Sequence, residues 1–422
     1  MCKIIVIGGG WAGCSAALRA RKAGAQVTLL EKTDMLLGLG NVGGIMRNNG
    51  RFTAAEENIA LGNGEFFNIT DKLSLHKNVN FPGHAHASFY DVAMVEPEVR
   101  RLLIREGVEI KFLTRAIDVM KEGPLLEGIV DADGKIHMAD AFVETTGTTG
   151  PMGNCMRYGK GCSMCVLRCP SFGPRVSITE KCGGEDLFAQ KADGTIGAFS
   201  GSCKLEKRTL SKKIQKKLNK DGFVVIPLPE EMINREKLSR KVCRQYALDA
   251  FAENIILIDT GHAKMMTPFF NLEDLRKIEG FENVRFADPY AGGKGNSVRY
   301  MSVGIRDEHM KAEGLENLFL GGEKSGFFVG HTEAITTGAL AGFNAVKKAR
   351  GEQMITLPEE LAVGDILAYS RKAVSEEGGM DIRFTFAGGE YFERMKEKGL
   401  YTTNPKAIAK KVEALGLLNV YN

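Results

Sequence analysis

The chain begins with an apolar run, a helical pattern and a second apolar run. Residues 3–7, "KIIVI", have the length and composition of a buried strand. The stretch "CSAALRARKAG" favours a helix ending at Gly24, and "AQVTLLEK" predicts a second strand ending near Glu31. This order predicts a βαβ unit and therefore an α/β protein with a parallel sheet.

Similar patterns continue to residue 150 and return near residue 316. Val99, Leu102 and Leu103 share one face of a predicted helix over residues 95–107. The stretch that follows predicts a meander of strands with "DADGK" as a hairpin turn. Residues 316–351 predict a strand, a glycine turn and a long helix rich in small residues.

The middle and the end of the chain carry helical patterns of a different kind. Leu210, Ile214 and Leu218 recur every four residues and predict an amphipathic helix, and "GFVVIPLP" predicts a strand after it. Residues 404–416 begin with Asn-Pro and end in Gly, which predicts a helix with both ends marked. We therefore expect a discontinuous domain of residues 1–150 and 293–355, an inserted cysteine-rich α+β domain of residues 151–292, and a helical C-terminal tail of residues 356–422.

Length and charge restrict the class of protein. A chain of 422 residues agrees with two or three domains. The formal net charge of +4 gives no global preference for nucleic acid. The chain contains no stretch of about 18 apolar residues, so we predict no membrane span. The apolar N-terminus runs into glycines and is therefore unlike a signal peptide. We expect a cytoplasmic protein, in which clustered cysteines more often bind metal or act in catalysis than form structural disulfides.

Three glycines after the first strand indicate a nucleotide site. Gly8, Gly10 and Gly13 have the spacing G-x-G-x-x-G. The first permits a tight turn, the second lets the backbone approach a pyrophosphate, and the third lets helix and strand pack closely. The helix then directs its positive dipole end at the phosphates. Glu31 ends the second strand, where a carboxylate can accept hydrogen bonds from a ribose diol.

Two later segments favour FAD over NAD. "DAFVETTGTTG" is a strand that runs into Thr146 and Gly147, the usual form of a second nucleotide contact in two-dinucleotide-fold flavoproteins. The strand before Gly322 and Glu323 ends where an acid can bind the ribityl chain. The helix beginning near Thr332 would direct its N-terminus at the pyrimidine edge of the flavin, where negative charge develops on reduction.

The two ends of the chain resemble a known family. "VIGGGWAGCSAAL" and "GLENLFLGGEKSGFFVGHTEAITTGALAGFNA" resemble the glucose-inhibited division protein A family and the related folate-dependent tRNA uridine methyltransferases, TrmFO. "IEGFENVRFADPYAG", "LPEELAVGDILAYSRKA" and "MDIRFTF" resemble further segments of these families. "LLGLGNVGGIMRNNGRF" resembles the flavin-facing segment of broader FAD-dependent oxidoreductases, including the flavin subunit of heterodisulfide reductase.

The resemblance implies a tightly bound FAD, a discontinuous Rossmann-type domain and an inserted substrate domain. We expect these residues to contact the cofactor: Gly8, Gly10, Gly13, Glu31, Lys32, Gly38, Asn41, Ala116, Thr146, Gly147, Gly322, Glu323 and Thr332. The folate-dependent family uses a cysteine soon after the first βαβ unit, whereas residues 32–76 contain no cysteine. The chain is therefore expected to be a paralogue with thiol chemistry of its own.

A cysteine cluster follows the second nucleotide-contact strand. Cys162, Cys165, Cys169 and the next proline match the last three cysteines and the proline of the bacterial ferredoxin pattern. The first cysteine of that pattern is replaced by Gly159, and Cys155 lies four residues earlier. These four cysteines are candidate ligands of a [4Fe–4S] cluster that relays electrons to FAD.

Other interpretations of the cluster stay open. Cys162 and Cys165 form a C-x-x-C pair, which can act as a redox dithiol against the flavin. Four thiolates can also hold zinc, and free cysteines can simply be buried. We take Cys162 and Cys165, with His331 at the start of the helix predicted on the flavin side as a proton donor, as candidate catalytic residues.

The predicted function is that of an FAD-dependent oxidoreductase whose cysteines relay electrons. NAD(P)H is a candidate transient reductant, the partner is a small-molecule or protein electron donor or acceptor, and we expect a homo-oligomer or a subunit of a complex. The main alternative is an FAD-dependent enzyme that modifies uridine in RNA, and a third is a non-catalytic electron-transfer subunit. The lysines of residues 204–222 suit an RNA-binding face or a solvated helix, and the second is favoured because interleaved aromatic residues are absent.

Overall fold

The computed structural model describes residues 1–147, 172–190, 194–196, 198–199, 203–239, 244–266, 270–287, 298–299, 301–376 and 378–422. Its strands, in chain order, are β1 (Lys3–Ile7), β2 (Gln26–Leu30), β3 (Ile45–Met46), β4 (Ser74–Phe81), β5 (His84–Tyr90), β6 (Glu109–Lys111), β7 (Ala116–Glu122), β8 (Leu125–Asp131), β9 (Ile136–Met138), β10 (Ala141–Glu144), β11 (Asp186–Phe188), β12 (Ala198–Phe199), β13 (Cys203–Leu205), β14 (Phe223–Pro227), β15 (Asn254–Asp259), β16 (Ala263–Met265), β17 (Val298–Arg299), β18 (Ser302–Gly304) and β19 (Leu318–Leu320).

The helices of the same residues are numbered in the same way. They are α1 (Trp11–Lys22), α2 (Gly50–Ala60), α3 (Glu65–Lys72), α4 (Val95–Arg105), α5 (Ile178–Lys181), α6 (Lys212–Asp221), α7 (Glu236–Ser239), α8 (Ala250–Glu253), α9 (Leu272–Leu275), α10 (His331–Ala349), α11 (Ala362–Val374), α12 (Gly389–Glu397) and α13 (Pro405–Ala414). None of these helices is both long and apolar enough to cross a membrane.

A five-stranded parallel sheet in the order β19–β10–β1–β2–β6 organises the fold. Along β1, Ile4 and Val6 belong to one apolar core, while Ile5 and Ile7 belong to another. Both faces of the strand are therefore covered, which explains its uninterrupted apolar sequence. The predicted βαβ unit and α/β class are confirmed.

The two long helices α1 and α10 pack closely on one side of this sheet. A Cβ atom on Gly338 would lie 2.1 Å from the Ala12 carbonyl oxygen, and one on Gly342 would lie 2.2 Å from that of Ala16. The small residues of α10 therefore serve helix packing. This contact brings the N-termini of both helices to the same end of the sheet.

Three further antiparallel sheets complete the main architecture. The predicted meander is confirmed as the sheet β7–β8–β9. The sheets β3–β5–β4 and β13–β16–β15–β14 pack against each other through Phe81 and Phe89 on one side and Ile256 and Ile258 on the other. Residues 45–90 thus contact the sheet formed by residues 203–265, and the division into domains at residue 150 stays a prediction.

Most predicted elements outside the sheet are also present. Helix α4 buries Val99, Leu102 and Leu103. Asn404 caps α13 by accepting hydrogen bonds from two backbone N–H groups. The segment "PGHAHASF" is mostly strand β5, where His84 is buried and stacks on Phe81 at 4.6 Å between ring centroids.

Candidate functional site

In the glycine turn after β1, the first and third motif glycines have no room for a side chain, whereas the second has open space around it. Gly8 has φ of +101°, and a Cβ there would lie 2.6 Å from the Thr145 carbonyl oxygen. A Cβ on Gly13 would lie 1.8 Å from the oxygen of Gly8. Around a Cβ on Gly10, in contrast, no heavy atom lies within 4 Å. The first and third glycines serve the fold, and the second leaves room for a group to approach the backbone.

The N-terminus of α1 opens into that space. Gly10 is its N-cap residue, no side chain caps the first turn, and the first turn contains no acidic residue. The first N–H groups of a helix lack partners within the helix and attract anions. The cradle at Gly10 therefore fits the pyrophosphate of a dinucleotide.

Glu31 lies beside this turn. One of its carboxylate oxygens accepts the N–H of Gly9 at 2.7 Å, and the other accepts the N–H of Thr33 at 2.8 Å and its hydroxyl at 2.9 Å. A carboxylate offers about four acceptor sites, so Glu31 retains capacity for a ribose hydroxyl. The structure thus brings Glu31 and the three glycines together.

The end of β10 joins the same turn. The Thr145 hydroxyl donates to the Gly8 carbonyl at 2.7 Å, and that of Thr146 donates to Glu144 at 2.8 Å. Gly147 has φ of +74°. Thr146 and Gly147 therefore lie near Gly8, although the hydroxyl of Thr146 already has a partner.

The segment 36–44 folds over the glycine turn. The N–H of Leu37 donates to the Gly9 carbonyl at 2.7 Å. Asn41 closes the segment on itself by donating to the carbonyls of Leu36 at 2.8 Å and Gly38 at 3.2 Å. Gly38 begins a short 3-10 helix with φ of +46° and open space around its Cβ position. This segment, which resembles a flavin-facing one, is therefore adjacent to the phosphate cradle.

Two lysines that the sequence analysis missed hold this segment from the other side. Lys204 on β13 donates to the Asn41 carbonyl at 2.6 Å, and Lys264 on β16 donates to the carbonyl of Val42 at 2.9 Å and to that of Gly43. The two lysines are direct partners in the antiparallel ladder. Single lysines in apolar strands carry no spacing signal, so only the tertiary structure identifies them.

His331 at the start of α10 is packed against the same segment. A Cβ on Gly43 would lie 1.7 Å from the imidazole carbon Cε1 of His331. The Tyr90 hydroxyl lies 3.1 Å from Nδ1 of the imidazole, and the Trp11 ring centroid lies 5.9 Å from that of His331. The candidate proton donor therefore lies between the N-termini of α1 and α10.

The carboxylate in the first turn of α10 is paired with other groups of the protein. Glu333 accepts hydrogen bonds from Arg51 at 3.1 Å, from the Thr385 hydroxyl at 2.9 Å and from the Phe386 N–H at 2.9 Å. Thr332 is completely buried, with its hydroxyl 3.9 Å from the sulfur of Met46. The charged groups at this helix end are thus engaged within the protein.

The other predicted cofactor contacts are more dispersed. Lys32 donates to the Gly173 carbonyl at 2.8 Å, and Ala116 packs in the apolar core beside the parallel sheet. Gly322 has φ of +67°, and its N–H donates to the Thr337 hydroxyl at 2.8 Å, next to the start of α1. Glu323 is partly exposed in the 3-10 helix after β19. Gly322 packs against the start of α1, since a Cβ there would lie 2.8 Å from the Cβ of Ala12.

A buried ion-pair network that the sequence did not indicate follows β10 and β19. Lys324 donates to the Asp186 carboxylate at 2.5 Å and to the Ser177 hydroxyl at 2.8 Å, and its ammonium lies 3.9 Å from Glu144. Glu144 also accepts the N–H of Thr179 at 2.8 Å. The network anchors the chain after residue 172 to the carboxyl edge of the parallel sheet.

The four cysteines of the cluster, Cys155, Cys162, Cys165 and Cys169, lie outside the described residues. Cys182 and Cys203, which are described, are buried in apolar cores, and burial raises the pKa of each thiol to about 12. Both are therefore neutral thiols that fill space. Among the described residues, no group of three or more His, Cys, Asp or Glu side chains could hold a metal ion.

Comparison with known proteins places this geometry in a family. The family model described as "Glucose inhibited division protein A" matches residues 3–267 and 260–353. A curated methylenetetrahydrofolate–tRNA-(uracil-5-)-methyltransferase TrmFO from Citrifermentans bemidjiense is 24% identical over 99% of this chain and 96% of its own length. The corresponding protein of Geobacter sp. strain M21 is also 24% identical with the same coverage.

Solved structures give the same fold. Aquifex aeolicus GidA in one crystal form has a TM-score of 0.65 at 18% identity, covering 98% of this chain and 76% of that protein. A second crystal form of the same protein has a TM-score of 0.63 at 17% identity. At this identity the likeness concerns the fold alone.

Proposed function

Because this chain belongs to the glucose-inhibited division protein A family, we propose that it is an FAD-dependent enzyme that modifies uridine in tRNA. The observation that carries the proposal is the match with TrmFO proteins along 99% of this chain and 96% of theirs, with the dinucleotide cradle intact. Methyl addition at uracil is the first reaction to test, since it is the activity in the names of those relatives.

The described residues supply the binding part of this function. The cradle at Gly10 and the N-terminus of α1 would hold the pyrophosphate, and Glu31 would bind the ribose. The segment 36–44 and the start of α10 would line the ring. When bound, FAD would supply hydride or electron transfer; the protein would orient it, and His331 would be the neighbouring group able to hold a proton.

A covalent mechanism on uracil would require a nucleophile. Cys2, Cys14, Cys182 and Cys203 do not suit that role, because all four are buried, and burial raises the pKa of the last three thiols. The cysteines between residues 155 and 169 and Cys243 lie outside the described residues, and we assign the role in the proposal to the former because they are clustered in the sequence. Individual Cys→Ser variants of these positions identify which thiol the reaction uses.

The exposed lysines of α6, here called the α6 face, are the RNA contact that we propose. Helix α6 buries Ile214 and Leu218 and exposes its five lysines, for which no ion pair is found in the described part of the chain. An adjoining groove of about 640 Å³ is lined by Lys220 together with Lys77 from β4. Phosphate backbones bind such surfaces by releasing counterions.

The activity test uses the FAD-loaded protein. It is incubated with a tRNA transcript, methylenetetrahydrofolate and NADH, and the digested nucleosides are analysed by mass spectrometry. We expect methylated uridine to appear with the wild-type protein and to be absent with Gly10→Val, which is designed to lose the cofactor. FAD-loaded wild-type protein that forms no modified uridine on any tRNA would overturn the proposal.

The RNA contact has its own test. Replacing Lys212, Lys216 and Lys220 by Gln should weaken tRNA binding and lower the dependence of log K on log salt by roughly two to three units. The matched control replaces three exposed lysines elsewhere by Gln: Lys348, Lys406 and Lys410. Equal losses in both variants would show that the α6 face is not the contact.

The second candidate is an oxidoreductase whose cysteines relay electrons to FAD. It is favoured by the ferredoxin-like spacing of Cys162, Cys165 and Cys169. Anaerobically purified protein should then contain about four iron atoms per chain and absorb beyond the flavin bands. Purified protein without iron would remove the cluster, and with it the observation that favours this candidate over the RNA-modifying one.

A further inference from the structure

Tyr90 lies at the end of β5, and its hydroxyl faces two acceptors. Nδ1 of His331 is 3.1 Å from the hydroxyl oxygen and the Gly40 carbonyl oxygen is 3.4 Å from it. Tyr90 is completely buried, and burial raises the pKa of its hydroxyl well above the ordinary value. The hydroxyl therefore stays protonated and has one proton to donate.

The imidazole of His331 is fixed in place around this hydroxyl. Trp11 lies on one side of the ring, and the backbone of Gly43 lies so close that a Cβ would overlap Cε1 and approach Nε2 to 2.4 Å. The two ring nitrogens therefore have different surroundings. Nδ1 faces Tyr90, and Nε2 lies on the side of the segment 36–44.

We propose that Tyr90 is a positioning residue that keeps Nδ1 of His331 engaged and so fixes the tautomer of the neutral imidazole. In the resting state Tyr90 donates to Nδ1, the closer acceptor, so neutral His331 carries its proton on Nε2. When His331 is protonated, Nδ1–H donates to the Tyr90 oxygen and the Tyr90 hydroxyl turns to the Gly40 carbonyl.

The same contact serves both protonation states, and Nε2 carries a proton in each of them. In neutral His331, Nε2–H is therefore the ring group that can donate a hydrogen bond on the side of the segment 36–44, and no proton leaves the tyrosine. The inference goes beyond the proposed function, because it concerns the tautomer of His331 and holds for any substrate. It adds a role for Tyr90, whose position at the end of β5 gives no signal of one in the sequence.

The test is the tautomer of His331 in the FAD-loaded protein. Long-range ¹H–¹⁵N spectra of histidine-labelled protein are recorded at neutral pH, and His331→Asn assigns the signal. We expect the Nε2–H tautomer in the wild type and a mixture of both tautomers in Tyr90→Phe, which removes the hydroxyl and keeps the ring.

Tyr421→Phe is the matched control, since the buried Tyr421 hydroxyl has no hydrogen-bond partner among the described residues. It should leave the His331 signals unchanged. An unchanged His331 spectrum in Tyr90→Phe, or a proton on Nδ1 in neutral wild type, would overturn the inference. Loss of bound FAD in Tyr90→Phe is checked by absorbance, and the tautomer is then read in the cofactor-free wild type and variant together.

Discussion

The two long helices of the parallel sheet begin a short distance apart in contrasting surroundings. Neither N-terminus has a side-chain cap. The end of α1 at Gly10 faces open space, whereas the end of α10 is closed by the buried pair of Arg51 and Glu333. Uncapped helix ends attract negative charge, and here one is left for a ligand while the other holds the protein's own carboxylate.

Substitutions at the two helix ends should therefore have different effects, on ligand binding at α1 and on stability at α10. At the open α1 end, we expect a substitution at Gly10 to weaken cofactor binding without destabilising the apoprotein. At the α10 end, each charged group has buried partners, so a substitution acts first on stability. The three predictions below test that separation.

The largest effect is expected from Arg51→Met. Arg51 and Glu333 are 4% and 1% exposed, so removing the guanidinium leaves a buried, unpaired carboxylate. We expect the free energy of unfolding to fall by about 3–5 kcal/mol, measured by urea denaturation. Adding Glu333→Gln should recover part of the loss. An Arg51→Met protein as stable as the wild type would contradict a closed α10 end.

Gly10→Val probes the open end. Gly10 has φ of −67°, which other residues adopt freely, and no atom lies near its Cβ position. We expect an unchanged melting temperature of the apoprotein and FAD affinity reduced roughly a hundredfold, about 2.7 kcal/mol, by fluorescence titration.

Gly13→Ala provides the contrast, because its Cβ would overlap the Gly8 oxygen and should lower both stability and affinity. If Gly10→Val destabilised the apoprotein as much as Gly13→Ala, the conclusion that the space around Gly10 is open would be wrong.

The smallest effect concerns His84, which lies near the closed end. Burial, with the charge of Arg51, lowers the pKa of His84 to about 3. In the unfolded chain, His84 binds a proton below its ordinary pKa of 6.5, whereas in the folded protein it stays neutral until the pH approaches 3. Stability is therefore present above pH 6.5 and is lost as the pH falls towards 3, by about 1.4 kcal/mol per pH unit.

Comparing urea denaturation at pH 7.5 and 5.5 checks this. His84→Gln should lose less stability between the two pH values than the wild type does, by about 1 kcal/mol. His86→Gln, on the same strand, is the control for removal of an imidazole that is not fully buried. Parallel pH profiles of His84→Gln and wild type would show that His84 is not held neutral.

The α1 end is also the part of the site that could be predicted from the sequence. Gly8, Gly10, Gly13 and Glu31 act within one βαβ unit, so their spacing along the chain fixes their spacing in the fold. The basic helix α6 and the meander followed from local periodicity for the same reason.

The rest of the site consists of contacts between distant segments. Lys204 and Lys264 reach the segment 36–44 across more than 150 residues of chain. Tyr90 meets His331 only because β5 ends beside the start of α10. A strand pattern predicts that such residues are buried but not what they contact.

Strand β5 shows the same limit. Its residues pair with β4 and pack against β15, because a neighbouring sheet buries them. Tertiary burial overrides local propensity in strands more readily than in helices.

The sequence by itself determined the α/β class, the dinucleotide turn with its acid, and the family. These depend on short-range spacing, because a glycine turn between a strand and a helix is specified by residues close together in the chain. Only the tertiary structure decided that the α1 end stays open while the α10 end is closed by Arg51, and that Tyr90 and two lysines surround the segment between them. Those features depend on which side chains, far apart along the chain, pack against each other in the folded protein.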